Sequence, residues 1–182
     1  MNNLEVSDLP LKGLKLFKPR VFGDARGYFL ETYQHSKFDV GGVADAFVQD
    51  NMSFSRRGVL RGLHYQFPHW QGKLVFVLQG EVFDAVVDIR RDSPTFGKWF
   101  GILLSEENHL QLYVPPGFAH GFCATSENAR VMYKCTDFYS PGNEHTILWN
   151  DPAIGIDWPI SDPVLSDKDA KGVCLKDASI PR

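Results

Sequence analysis

The stretch RGLHYQFPHWQGKLVFVLQG, residues 61–80, sets Arg61, His64, His69 and Lys73 among apolar residues that read as strands. Charged groups in such surroundings are costly unless they are partnered or used. Neighbouring cations would hold a histidine in its neutral, basic form, and a carboxylate behind the ring would orient it. The stretch LSDKDAKG near the end of the chain offers Asp167 and Asp169 for that task. Tyr133, in ARVMYKCTDFY, shares a parity with Cys135 and Tyr139. A tyrosine facing His64 across a cavity would place a proton donor opposite a base, which suits proton removal from one face of a carbon and return to the other. Lys73 in the same cavity would stabilise an oxyanion such as an enolate. Each residue alone has an ordinary reading: a core histidine bonded to backbone, a packed tyrosine, a surface lysine. Their combination favours chemistry.

His120 follows a Pro-Pro-Gly turn in VPPGFAHGFCA. It is open to a structural role, a ligand contact or metal ligation. His64, His69, His120 and a carboxylate would make a metal site on a barrel. No HxH pair with a following Glu occurs, however; Gln66 is a poor ligand, and His69 falls in a loop, so the metal-free reading is preferred. The phosphate loops GxGxxG and GxxxxGK[ST] do not occur in the chain. Arg26, Arg61 and Lys168 remain as cations for phosphate groups, and Tyr139 or Phe29 as a stacking surface for a base.

These groups need a scaffold. The chain has 182 residues, 43% hydrophobic and 23% charged, which suits one globular domain spanning 1–182. A net charge of -3 argues against nucleic-acid binding by bulk positive charge. No run approaches the length of a membrane span, and the N-terminus lacks the apolar segment of a signal peptide. Three widely spaced cysteines without a CxxC pair suggest a reducing cytoplasm.

Sixteen glycines, 11 prolines and short alternating runs separated by turn signals indicate an all-β sandwich or barrel. In EVFDAVVDIR, Phe83, Ala85, Val87 and Ile89 share one parity, and Gln79-Gly80 reads as a hairpin turn after KLVFVLQG. Further strands are expected at 29–33, 47–54, 98–104, 110–114, 121–124, 130–139 and 146–149. Short helices are expected near 35–40 and 167–171. The barrel core covers about 17–150, and 151–182 reads as a tail packed on it. Polar residues share faces on several strands, as do Phe29 and Glu31, Gln49 and Asn51, and His64 and Gln66. Together they imply a polar-lined cavity. Arg61 and His64 differ in parity, so both can face it only if the strand is irregular, as at Gly62.

The segments PRVFGDARGYFLETY, FVQDNMSFSRRGVLRGLHYQ, QGKLV, GEVFDAVVDIRRDSPTFGKW, VPPGFAHGF, YKCTDFYSPGNE and ILWNDPAIGIDWP resemble, in the same order, the dTDP-4-dehydrorhamnose 3,5-epimerases. The resemblance implies a cupin-type jelly-roll barrel, a homodimer and no metal or organic cofactor. It implies inversion of C3 and C5 in a dTDP-4-keto-6-deoxyhexose, the third step of dTDP-L-rhamnose synthesis. Carried over by position, it makes His64 the base, Asp169 its dyad partner and Tyr133 the acid, with Lys73 near the C4 oxygen. Arg26, Phe29, Glu31, Gln49, Asn51, Arg61, His120, Glu144 and Lys168 match substrate contacts, and Tyr139 matches the aromatic that stacks on thymine. The FPHW loop and Phe76 depart from the family's pattern; the loop change would alter the pocket rim without touching the acid or base that the resemblance implies. A single-carbon epimerase of a related 4-keto sugar nucleotide and a non-catalytic sugar-binding cupin remain the competing functions.

Overall fold

The computed structural model describes residues 4–180. In chain order the strands are β1 (Leu4–Asp8), β2 (Lys15–Pro19), β3 (Val21–Asp24), β4 (Gly27–Leu30), β5 (Gln49–Arg56), β6 (Leu60–Gln66), β7 (Lys73–Gln79), β8 (Glu81–Asp88), β9 (Trp99–Ser105), β10 (Gln111–Val114), β11 (Phe118–Ala124), β12 (Asn128–Cys135) and β13 (Glu144–Thr146). The α-helices are short: α1 (His35–Val40) and α2 (Asp167–Ala170). A six-stranded sheet runs β1-β2-β10-β7-β12-β5 and a five-stranded sheet runs β13-β6-β11-β8-β9. β3 and β4 form a separate two-stranded arm. The fold is therefore all-β, with crossovers that carry the chain back and forth between two sheets.

Three apolar layers follow from the alternation of side chains along strands. Val75, Val77, Leu112 and Val131 of the six-stranded sheet meet Val82, Val86, Leu104, Phe118 and Phe122 of the other, which fills one end of the barrel. Leu63, Tyr65, Ala85 and Val87 turn outward from the five-stranded sheet, and Ile154, Trp158, Leu175 and Ile180 from the end of the chain cover them. Phe38 and Val43 cover Phe17, Leu74 and Tyr113 on the outer side of the six-stranded sheet. Both faces of β8 are thus buried, which the single parity of Phe83, Ala85, Val87 and Ile89 does not reveal.

One expected turn is corrected. Gln79-Gly80 is no hairpin turn, because β7 and β8 lie in different sheets. Gly80, at φ +74°, is the corner between them; a Cβ there would lie 2.0 Å from the Asn128 carbonyl oxygen. β6 and β7 are likewise not neighbours but belong to opposite sheets. The alternation over 130–139 breaks at Cys135. There Thr136 N–H donates to the Gly72 carbonyl at 3.0 Å and Gly72 N–H donates to Thr136 Oγ1 at 2.7 Å, which ends the ladder and bends the chain away.

Asp88 closes β8 as a fully buried carboxylate. Burial would raise its pKa, but Arg90 donates to both its oxygens and Ser93 and Thr95 donate as well, which bring it down to about 2 from 3.8. A carboxyl depressed on folding contributes stability above its unfolded pKa and loses it as pH falls through the folded one. Asp88→Asn is therefore expected to cost on the order of 2 kcal/mol at neutral pH. Urea unfolding should show that difference shrinking as the pH drops from 3.8 towards about 2.

Candidate active site

A cavity of about 370 Å³ opens between the two sheets at the end that the apolar core leaves free. Its position follows from an irregularity in β6. His120 pairs with His64, but Phe122 pairs with Arg61, so three residues of β6 span two of β11. Gly62 absorbs the extra residue at φ +112°, and a Cβ on it would lie 2.6 Å from both Gly121 Cα and the His120 carbonyl oxygen. Such a bulge re-aims side chains. Arg61 and His64 consequently both line the cavity despite their opposite parity.

His64 Nε2 lies 2.5 Å from Asp169 Oδ1. Asp169 is buried and also accepts from Ser166 Oγ at 2.7 Å and from Gly62 N–H at 3.3 Å. Ser166 caps α2 by accepting from Asp169 N–H, so the helix start and the carboxylate are fixed together. Asp167, the other candidate, is exposed. Burial would raise the Asp169 carboxyl, but the bonds from His64 and Ser166 hold it below the usual range. Burial also lowers His64; Asp169 opposes this, and Lys168 and Lys73 add to it, so the net direction is down. The expected effect of the cations is present, but burial is the larger cause. A neutral imidazole held by a carboxylate is equipped to take a proton.

Tyr133 and Lys73 come from the opposite wall, on β12 and β7. The Lys73 ammonium lies 5.9 Å from the centroid of the Tyr133 ring. Burial, with Cys135 and Glu144 adding to it, raises the Tyr133 hydroxyl, so it keeps its proton and can donate it. Burial lowers Lys73, against the through-space attraction of Cys135, Glu144 and Asp84. An imidazole and a phenol thus stand on facing walls, with a lysine on the phenol's side.

The remaining lining residues bracket that centre. Arg61 is pinned by Ser55 Oγ at 3.0 Å and the Phe54 carbonyl at 3.0 Å. At the mouth, Glu144 accepts from Lys168 Nζ at 2.9 Å and from the Tyr139 hydroxyl at 2.8 Å. Gln49 Oε1 accepts from Tyr139 N–H at 2.9 Å, while Gln49 Nε2 donates to Asn51 at 3.1 Å. His120 lies beside His64 on β11 and contacts both oxygens of Asp84, at 3.0 and 2.9 Å. Sequence reasoning missed Asp84. Its signal was a carboxylate on the second apolar face of EVFDAVVDIR, and it is fully buried.

Three expected site residues lie elsewhere in the single chain. Arg26 is exposed at the tip of the β3–β4 arm and pairs with Asp24 at 2.5 Å. Phe29 on β4 is 68% exposed, and Glu31 just beyond it pairs with Lys37 at 2.6 Å. None lines the cavity, because the arm projects from the barrel with both strands exposed. His69 sits outside the cavity, 3.7 Å from Asp137. Among the described residues, no three His, Cys, Asp or Glu side chains converge as metal ligands.

The family model described as dTDP-4-dehydrorhamnose 3,5-epimerase matches residues 8–177. The epimerase of that name from Pseudomonas aeruginosa is 53% identical over 177 residues, covering 96% of this chain and 98% of the relative. The one from Neisseria gonorrhoeae is 54% identical over 170 residues and 93% of this chain, which spans about half of that longer relative (52%). The crystal structure of dTDP-6-deoxy-D-glucose-3,5-epimerase from Legionella pneumophila, in complex with dTDP-4-keto-L-rhamnose, superposes with a TM-score of 0.92 at 50% identity, covering 95% of this chain and 93% of that one. The two-sheet barrel is accordingly of the cupin type. With the match running along nearly the whole length of chain and relative alike, the chain belongs to the dTDP-4-dehydrorhamnose 3,5-epimerase family.

Proposed function

We propose that the chain epimerises dTDP-4-dehydro-6-deoxy-D-glucose at C3 and C5 to give dTDP-4-dehydro-L-rhamnose, without a cofactor. The observation that carries this is the His64–Asp169 pair on one wall of the cavity and Tyr133 on the other. His64 removes a proton alpha to the C4 ketone. Lys73 stabilises the charge that develops on the C4 oxygen, and Tyr133 returns a proton to the opposite face. Two such inversions, one on each side of the ketone, convert the sugar. Asp169 orients the imidazole and favours its protonated form after proton transfer. Arg61 and Lys168 serve the phosphates, Tyr139 the thymine, and Gln49, Asn51, His120 and Glu144 the remaining contacts.

The arm fits a homodimer. Met52, Phe54 and Leu78 are 65%, 48% and 45% exposed. All three lie on the outer side of the six-stranded sheet, and an apolar patch of that kind marks an interaction surface. A second copy docked there receives Arg26, Phe29 and Glu31 from the arm at its own cavity. The 1–182 chain then acts as one barrel domain with its tail, in a cytoplasmic setting. Among the described residues no helix is long and apolar enough to cross a membrane.

An NMR time course with dTDP-4-keto-6-deoxyglucose in deuterated water tests the reaction. Inversion at both carbons is expected, and inversion at one alone would sink the double epimerisation. His64→Asn is expected to lose both inversion and solvent exchange, by on the order of 10²–10⁴ in rate. Asp169→Asn should lose less, since it does not touch the sugar. Because His64 titrates below its usual 6.5, the acid limb of kcat/KM should fall below that pH. Removing Asp169's opposing effect should move the limb lower still.

Tyr133→Phe separates the two proton transfers. The variant should exchange the hydrogen at C3 or C5 with solvent while forming little inverted product, because the imidazolium hands its proton back to the face it came from. Inversion at the wild-type rate would remove Tyr133 from the role of acid.

For the dimer, Arg26→Ala and His64→Asn proteins are expected to be weak alone and to regain activity after mixed refolding, at about a quarter of the wild-type sites. Activity that stays at the level of the separate variants would place the arm outside the partner's site.

A further inference from the structure

We infer that Gln66 is a positioning residue that sets the nucleotide end of the site through Tyr139; the inference rests on the reading of Tyr139 as the thymine-stacking side chain. Gln66 ends β6, two residues after His64, and is 4% exposed. It does not line the cavity. Its amide is nonetheless used at every turn. Nε2 donates to the Phe138 carbonyl at 3.1 Å and to the His69 carbonyl at 2.6 Å, and Oε1 accepts from Ser140 N–H at 2.8 Å.

The Phe138 carbonyl and the Ser140 N–H belong to the two peptide groups that flank Tyr139. Gln49 takes the third backbone group, Tyr139 N–H, at 2.9 Å. The backbone on both sides of Tyr139 is thereby fixed by side-chain amides, although the Tyr139 ring itself is 51% exposed. An exposed aromatic on a loop would otherwise sample many orientations and lose that freedom on stacking. Holding its backbone in advance removes part of the cost of binding.

Packing alone does not account for a glutamine here. A buried primary amide is unfavourable unless its donors and acceptor are satisfied, and an apolar residue of the same size would fill the space. The three bonds all go to the two segments that shape the cavity mouth, 67–72 and 137–140. One strand therefore carries the base and, two residues on, the grip on the nucleotide platform. This ties the position of the sugar end to that of the base end.

Gln66→Met keeps the volume and removes all three bonds. The full-length protein carrying Gln66→Met, Tyr139→Ala or both is titrated with dTDP and assayed with dTDP-4-keto-6-deoxyglucose. Near-UV circular dichroism checks the fold. Gln66→Met is expected to raise the dTDP Kd and the substrate KM about tenfold, towards the lower end of what loss of one base stack does. The kcat should stay within about threefold of wild type. The double variant should bind dTDP no more weakly than Tyr139→Ala alone. If Gln66→Met fails to fold, Gln66→Glu gives the same readout, since it keeps the acceptor for Ser140 and loses both donated bonds. Unchanged dTDP affinity in the Gln66 variant, a kcat loss as large as the KM change, or losses that add to those of Tyr139→Ala would each overturn the inference. If Tyr139→Ala itself binds dTDP as wild type does, the reading of Tyr139 fails and takes this inference with it. If only the Gln66 variant is silent, that reading stands and the inference alone fails.

Discussion

Where β6 meets β11, Gly62 and Gly121 approach so closely that neither position has room for a Cβ: one on Gly121 would lie 2.6 Å from the Arg61 carbonyl oxygen, as close as the contacts found for Gly62. The site depends on this contact. It lets β6 take an extra residue, and the extra residue turns Arg61 and His64 to the same side. The same distortion frees Gly62 N–H from the ladder to donate to Asp169. The His64 imidazole, the Asp169 carboxylate that holds it and the Arg61 guanidinium thus owe their places to one local cause. A regular strand would have sent Arg61 or His64 into the apolar layer beneath the tail.

The electrostatics of the cavity are set for an anionic guest. Arg61, Lys73 and Lys168 line it, while Asp84, Asp169 and Glu144 are each already bonded to a partner. Burial disfavours charge on His64 and Lys73 alike. For His64 that is what a base needs. For Lys73 it is a handicap in the proposed role, which calls for an ammonium. Negative phosphates entering the same cavity favour the charged form of a neighbouring lysine. In the proposed reaction, the substrate's own phosphates therefore offset part of the burial that disfavours the Lys73 ammonium.

Much of this was legible because chemistry leaves charged and phenolic groups where alternation calls for apolar ones. His64, Lys73 and Tyr133 stand out on that ground alone, and the need for an irregularity at Gly62 follows from parity. Both helices also fall where expected, at 35–40 and 167–170. What was not legible is non-local. A Gly after a strand reads equally as a hairpin turn or as a corner between sheets, and only the pairing of β7 with β10 and β12 decides for the corner. Asp84 was hidden because Phe83, Ala85, Val87 and Ile89 already gave β8 a buried face, and a second one is set by the opposite sheet. Arg26, Phe29 and Glu31 cannot be placed at a cavity by one chain at all, since the arm that bears them leaves the barrel.

The end of the chain has a sharper purpose than covering a sheet. Ile154, Trp158 and Leu175 pack on the outer face of the five-stranded sheet. Val173 bridges to Ile147, and Val164 to Val59. Between those two bridges lies α2, a helix too short to be stable by its own hydrogen bonds. It is held by its Ser166 cap and by its attachments on either side. What it presents inward is Asp169, its buried residue. Acid–base geometry tolerates little displacement, so a carboxylate delivered by an irregular segment must be anchored as firmly as one on a strand. The apolar contacts of the tail supply that anchoring on the far side of the sheet from the cavity. Loosening them would act on His64 through Asp169 without any change among the residues that line the site.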